Sequence, residues 1–409
     1  MKKAIALILS LAMCFTLLTA CGGSGDSGNN STGNNSGTSN NSGTSNNGGT
    51  SNNSGTADDG KVYEFTVVNH DSTTSMGEKY LETLLNAIAD ESNGRLKFTY
   101  NAGGSMFGAS ETIDAVKVGS ADICWFTTGT YGGVFPVSEF INLVGNGIDS
   151  AQLGSAVINA MYREIPEVAA EYEDWHILAL HGTSNSPIST VGKKIETVND
   201  FKGLRLRVAG SIPTLYINAL GATATALPTS EVYDNLSKNA LDGMCNDWHN
   251  IDCFRLYEPI DYCMNVALNM TASGVLMNKD KYESLPSDLQ ALFDKYFNNY
   301  FAADMAGYWW DSCRYWVADE MRENGVEIYE PSQEVADFMF SDEVLDQTHQ
   351  GYIDFLNSKG LDGQRLYDEC MAIVARYADD YAHVWDEEFN YADWDMSKVD
   401  GYKAVYAEN

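Results

Sequence analysis

Between residues 63 and 126 the chain switches repeatedly between two hydrophobic periods, and this constrains its fold more than any other feature. Residues 63–69 alternate with period two. Residues 75–92 then place Met76, Tyr80, Leu84, Leu85 and Ile88 at helical spacing. Residues 96–100 alternate again, Gly103 and Gly104 follow, a helix is expected over about 109–118, and 121–126 reads as a third strand. A β-α-β-α-β order of this kind predicts a parallel open sheet with covering helices. Residues 176–181 add a strand leading to a second region. There, strands over 205–208 and 223–227 and a helix over 230–239 repeat the theme.

The span after residue 60, roughly 350 residues, exceeds what one hydrophobic core usually supports, so two lobes are expected. Before it, residues 22–60 are almost wholly Gly, Ser, Asn and Thr. Such a stretch cannot bury enough apolar surface to offset its ordering entropy, so it reads as a flexible tether with an r.m.s. span of roughly 35 Å. Residues 1–20 have the form of an export signal: Lys2 and Lys3, an apolar run over 4–18, and Leu18-Thr-Ala-Cys21 as a small-residue processing site. The apolar run, about 15 residues, is short for a spanning helix, which needs about 20. This context predicts cleavage before Cys21 and a lipid on that cysteine.

The formal net charge is −32. A chain this acidic is repelled by anionic polymers, which argues against nucleic-acid binding. It also means that any capture of an anionic solute needs basic groups focused in one place. In 200–208, Leu204, Leu206 and Val208 alternate with Arg205 and Arg207, so both guanidiniums point away from the aliphatic face. Ala209, Gly210 and Pro213 mark the turn that follows. Arg207 therefore sits near the carboxyl end of its strand, where open α/β sheets place their ligand crevices. A planar five-donor fork there suits a carboxylate. Arg205 lies on the same face but further from the turn and is left aside.

Four blocks in order carry a resemblance: Asp200-Phe-Lys-Gly-Leu-Arg-Leu-Arg-Val208, Leu220-Gly-Ala-Thr223, Leu227-Pro-Thr-Ser-Glu-Val-Tyr233 and Leu241-Asp-Gly-Met-Cys-Asn246. Together they resemble the solute-binding subunit of tripartite ATP-independent periplasmic (TRAP) transporters of the dicarboxylate-binding, DctP, type, over roughly residue 65 to the C-terminus. The resemblance implies a two-lobed periplasmic-binding-protein-like α/β fold, type II-like, with open sheets flanked by helices and a long helix spanning both lobes. Lobe one would be 61–190 plus 272–311, and lobe two 191–271 plus 312–409. It also implies an extracytoplasmic binding protein that delivers a small organic acid to membrane subunits, and the signal ending at Cys21 adds the expectation of a lipid anchor at the outer face of the cell membrane. No reaction and no cofactor are implied. Two rivals are a binding lipoprotein of an ATP-driven importer and, in another class, a surface lipoprotein hydrolase.

By the same resemblance, Arg207 matches the arginine that salt-bridges the solute carboxylate, and Asn246 an asparagine beside it. Lys193 lies where the family often has a second basic group, although a surface lysine fits the sequence as well. Asn69 and Thr127 follow the first and third strands at positions that contact solute in relatives, or they simply cap strand ends. Trp125, Tyr131 and Trp248 are candidates for an apolar or stacking wall. Two departures predict an altered pocket floor: Asp242-Gly-Met-Cys-Asn-Asp247 has Cys245 and Asp247 where relatives carry an acid and a proline, and Thr229 stands where an aromatic is frequent.

Residues 286–324 hold Gly307 as their sole interior glycine, which leaves one long helix or two helices broken near it. The Ser287-Asp-Leu-Gln290 start has the form of a capping box, and Gly325 marks the stop. The aromatic cluster 308–310 reads as core packing. His249 and Cys253 have the i, i+4 spacing of metal ligands, but two ligands do not make a site, so no metal is expected. Of the eight cysteines, the six beyond Cys21 follow no recognisable disulfide framework.

Overall fold

The computed structural model describes residues 60–297 and 307–382. The expected signal, Cys21 and the tether lie outside these residues, as does the stretch that decides whether one helix runs through 286–324. On either side of that stretch are helices Ser287–Phe297 and Gly307–Glu323.

The first sheet contains β1 (Tyr63–Val68), β2 (Leu96–Asn101), β3 (Ile123–Thr127), β4 (Trp175–Gly182) and a late strand, β10 (Ala272–Asn278). The second contains β5 (Ile188–Thr190), β6 (Arg205–Val208), β7 (Thr223–Ala226), β8 (Gly243–Cys245), β9 (Tyr262–Met264) and β11 (Glu327–Tyr329). Their orders are β2-β1-β3-β10-β4 and β11-β9-β5-β8-β6-β7. The β-α-β pattern does produce parallel pairs, β1 with both β2 and β3, and β6 with both β7 and β8. Both sheets are nevertheless mixed. β10 lies antiparallel between β3 and β4, and β5 runs antiparallel to β8 and β9. The expectation of purely parallel sheets fails because the chain leaves each sheet and returns to it later, free of the right-handed crossover that forces parallel pairing.

Period-two alternation in the first sheet sends side chains into two separate cores. Phe65, Val67, Ile123, Trp125 and Val275 face one, and Val68, Cys124, Phe126 and Leu276 the other. A third core under the second sheet gathers Leu204, Leu206 and Val208 against Tyr216 and Ile217 of helix Ile212–Ala219. Sheets buried on both faces need helices on both sides, which fixes an α/β architecture in two lobes.

The chain passes from the first sheet to the second after β4 and back after β9, and it reaches the second sheet again by β11, which follows helix Gly307–Glu323. β5 therefore belongs to the second sheet, although the sequence placed 188–190 in lobe one. Helix Gly363–Tyr381 likewise packs its Leu366, Cys370 and Ile373 into the core of the first sheet rather than in lobe two. Its apolar stripe complements helix Ala151–Glu164, a contact that sequence order cannot show. The expected Ser287 capping box is replaced by another arrangement: the helix begins at Ser287 itself, and Gln290 Nε2 donates to the Tyr282 carbonyl at 3.0 Å. Gly325 has φ +86°, as a helix-terminating glycine requires.

Candidate functional site

A cavity of about 550 Å³ opens where the carboxyl ends of strands from both sheets converge. His70 follows β1 and Thr127 ends β3 on one side; Arg207 of β6, with Leu227 and Thr229 after β7, lies on the other. Asp247 and Asn250, beyond β8, also line it, and Phe254 and Pro228 give it an apolar wall.

Arg207 is 3% exposed, and neutral groups hold its guanidinium on three sides. Nε donates to the Leu227 carbonyl at 3.0 Å, Nη1 to Asn246 Oδ1 at 2.7 Å and Nη2 to Thr229 Oγ1 at 3.0 Å. A guanidinium has five N–H donors, so one on each terminal nitrogen remains. Among the described residues no carboxylate lies within 4.0 Å of this cation. Burial lowers its pKa to about 10, opposed by the field of Asp247, so it stays charged at neutral pH. Among the described residues, Arg207 and Asp247 are the only Arg, Lys, Asp or Glu side chains lining the cavity. Burial raises the Asp247 carboxyl above its usual range, and the residue caps helix Trp248–Cys253 by accepting from Asn250 N at 3.1 Å.

The structure brings together only some of the residues singled out in the sequence. Arg207 and Thr127 line the cavity. Asn246 does not, but it orients Arg207, and its Nδ2 is buried with no hydrogen-bond partner. Thr229, noted as a departure, supplies one of the three groups that position the guanidinium. Arg205 is paired with Asp242 at 2.8 Å on the exposed end of its strand.

Five candidates lie elsewhere. Lys193, in the loop after β5 with its side chain 43% exposed, pairs with Asp200 at 3.2 Å and does not line the cavity. Asn69 is buried behind the strand end, where it donates to Glu78 Oε2 and accepts from Asp71 N, both at 3.0 Å. Trp125 and Trp248 are core residues, their indole N–H groups donating to His181 Nε2 at 3.0 Å and Asn185 Oδ1 at 3.2 Å. Tyr131 is buried, and its hydroxyl donates to the Ala109 carbonyl. Large aromatics stabilise most when wholly buried with a partner for the polar tip, and these three have that. Trp125 acts indirectly, since His70 stacks on it with ring centroids 5.4 Å apart.

The sequence reading missed His70, Asn250, Phe254 and Thr271, and it named Asp247 only as a departure at the pocket floor. A signal existed for His70, which directly follows Asn69 at the end of the first strand. Nothing in sequence distance joins it to a second group behind the cavity. Asp71, fully buried, lies 3.0 Å from His249 Nε2 through Oδ2 and 3.6 Å from His70 Nε2 through Oδ1. Burial alone would raise the Asp71 carboxyl, but the two imidazoles hold it below its ordinary value. The six cysteines of the described residues are all free thiols.

Two rims of the cavity meet through glycines. A Cβ on Gly129, after β3, would stand 3.1 Å from the Ala209 carbonyl oxygen, and one on Gly210, at φ +97°, would stand 3.0 Å from that of Gly129.

Solved structures with the same architecture include a marine metagenome TRAP solute-binding protein specific for aromatic acids, in complex with 3-hydroxybenzoate. It is 24% identical, with TM-score 0.71, covering 78% of this chain and 99% of that one. A TRAP solute-binding protein from Rhodoferax ferrireducens with copurified benzoate is 22% identical, with TM-score 0.70, covering 78% and 100%. At these identities the likeness concerns the fold. Among sequence relatives, a monocarboxylate 2-oxoacid-binding periplasmic protein of Nostoc is 25% identical over 39% of this chain and 44% of its own length. The sialic acid-binding periplasmic protein SiaP of Vibrio cholerae is 27% identical over 43% and 54%. The chain thus spans about half the length of these relatives. They and the solved neighbours are solute-binding proteins, not enzymes. Residues 67–351 match DctP, bacterial extracellular solute-binding protein family 7, and the chain belongs to that family.

Proposed function

We propose that this protein is the extracytoplasmic receptor of a TRAP-type secondary transporter, that it captures a small organic monocarboxylate, and that it delivers it to the membrane subunits. The observation that carries this reading is the state of Arg207: buried, charged, oriented by three neutral partners, and with two N–H donors left at a cavity reached from both lobes. A fork of that kind accepts two carboxylate oxygens side by side. With Arg207 as the one Arg or Lys and Asp247 as the one carboxylate that the described residues give the lining, the cavity favours a single carboxylate over a dicarboxylate. Phe254, Leu227 and Pro228 then face the apolar body of the solute. The lipid on Cys21 and the tether over 22–60 keep the receptor near its transporter.

A thermal-shift screen across organic acids, followed by calorimetry, tests the reading. A ligand that binds only the folded state raises the melting temperature by mass action. A monocarboxylate should do so with one-to-one stoichiometry and no turnover. Binding of neutral sugars or peptides with no response to any carboxylate would overturn it. Mass spectrometry of the cell-envelope protein tests the anchor, which predicts a lipidated N-terminus at Cys21.

A further inference from the structure

The group behind the cavity combines donors that one ion would satisfy. Asp71, in the loop after β1, belongs to the first lobe. His249 and Cys253 lie one turn apart on helix Trp248–Cys253, which follows β8 of the second. A carboxylate oxygen of Asp71, a ring nitrogen of His249 and Cys253 Sγ all lie within 4.8 Å of one another. Ligands of a tetrahedral zinc ion, at roughly 2.0 Å for N or O and 2.3 Å for S, stand about 3–4 Å apart, so small rotations bring these atoms onto a common centre. We propose that Asp71, His249 and Cys253 form a binding site for a zinc-class divalent cation that bridges the two lobes.

Three further observations point to an ion rather than to a simple hydrogen-bonded pair. First, Asp71 Oδ1 is buried without a hydrogen-bond partner, as are His249 Nδ1 and His70 Nδ1. An unpartnered buried carboxylate oxygen is costly, and a cation in contact with it removes that cost. Second, the donor set is mixed oxygen, nitrogen and sulfur, which suits a borderline-soft ion and not calcium or magnesium. Third, an entry route exists. His70 lines the cavity and its Nε2 stands 3.6 Å from Asp71 Oδ1, so it is the fourth donor available and connects the site to solvent. A hydrogen bond between Asp71 and His249 alone gives no role to Cys253, whose thiol otherwise meets Ser72, with Oγ at 3.7 Å.

The test uses the full chain, stripped with chelator and kept reduced, titrated with Zn²⁺ by calorimetry and with Co²⁺ by absorption spectroscopy, with no solute present. One equivalent should bind at micromolar or tighter affinity, and the cobalt form should show a thiolate-to-metal charge-transfer band. Cys253→Ser should abolish the band and weaken zinc at least tenfold, and His249→Gln should weaken it similarly. Cys253 is partly exposed, so its serine variant keeps the fold, and circular dichroism checks this. If His249→Gln fails to fold, the serine variant alone decides. No stoichiometric binding, or binding and a thiolate band unchanged in Cys253→Ser, would overturn the proposal.

Discussion

Arg207 and Asn246 are joined by a 2.7 Å hydrogen bond in which the guanidinium donates to the amide oxygen, while the amide nitrogen of Asn246 is left buried without a partner. The asparagine thus orients the cation without neutralising it. Had an acid occupied position 246, the carboxylate of a solute would have met a charge already paired.

Replacing Arg207 by Ala should therefore weaken capture of a carboxylate solute at least tenfold by calorimetry. A charge-assisted hydrogen bond contributes on the order of 1.5–3 kcal/mol, and two are lost. Arg207→Lys should recover little, because a point charge cannot reproduce the fork. An unchanged dissociation constant in Arg207→Ala would remove the basis of the assignment.

Asn246→Asp keeps the acceptor and adds a negative charge at the guanidinium. Solute affinity should fall at least tenfold, while the melting temperature of the solute-free protein stays level or rises. Equal affinity for the same acid in both proteins would show that Arg207 is not its anchor.

The glycine contact at the cavity rim leads to a different signature. In Gly129→Ala the new methyl would stand 3.1 Å from the Ala209 carbonyl oxygen, which opposes close approach of the two rims. Affinity should drop several-fold, with a smaller loss in the stability of the solute-free protein. A matching loss in both would place the strain within one lobe.

Asp311 gives a pH dependence with a defined sign. Its Oδ1 accepts from Ala151 N at 2.5 Å and its Oδ2 from Gln152 N at 3.1 Å, tying helix Gly307–Glu323 to the start of helix Ala151–Glu164. Burial nonetheless raises its pKa from 3.8 to about 7, outweighing those hydrogen bonds. A carboxyl whose folded pKa is raised contributes most below its unfolded value, and that contribution is lost as pH rises through about 7, by about 1.4 kcal/mol per pH unit at most. Asp311→Asn lacks this titration. Its stability relative to the parent should rise between pH 4 and pH 8 in urea melts, and a flat difference would contradict the assignment.

What the sequence disclosed divides along physical lines. β1, β2 and β6 were legible because apolar residues alternate along them, β3 because it is a short, largely apolar run after a helical stretch, and the position of Arg207 followed from its distance to a turn. Lys193 and the two tryptophans were misplaced for a different reason: period and spacing say which face of a strand a residue takes, not what covers that face. The junction of Asp71 with His249 spans 178 positions, and only tertiary packing creates it. Thr229, read as a change in the pocket floor, also holds the arginine, since its hydroxyl accepts from Nη2.

The seat of β10 between β3 and β4 bears on how the molecule can assemble. As the polypeptide emerges from its N-terminus, β4 stays unjoined to β2, β1 and β3 until residues 272–278 arrive between β3 and β4. The excised fragment 60–190 should consequently remain incomplete and aggregation-prone, whereas supplying 272–278 as a separate peptide should restore the strand that joins its two parts.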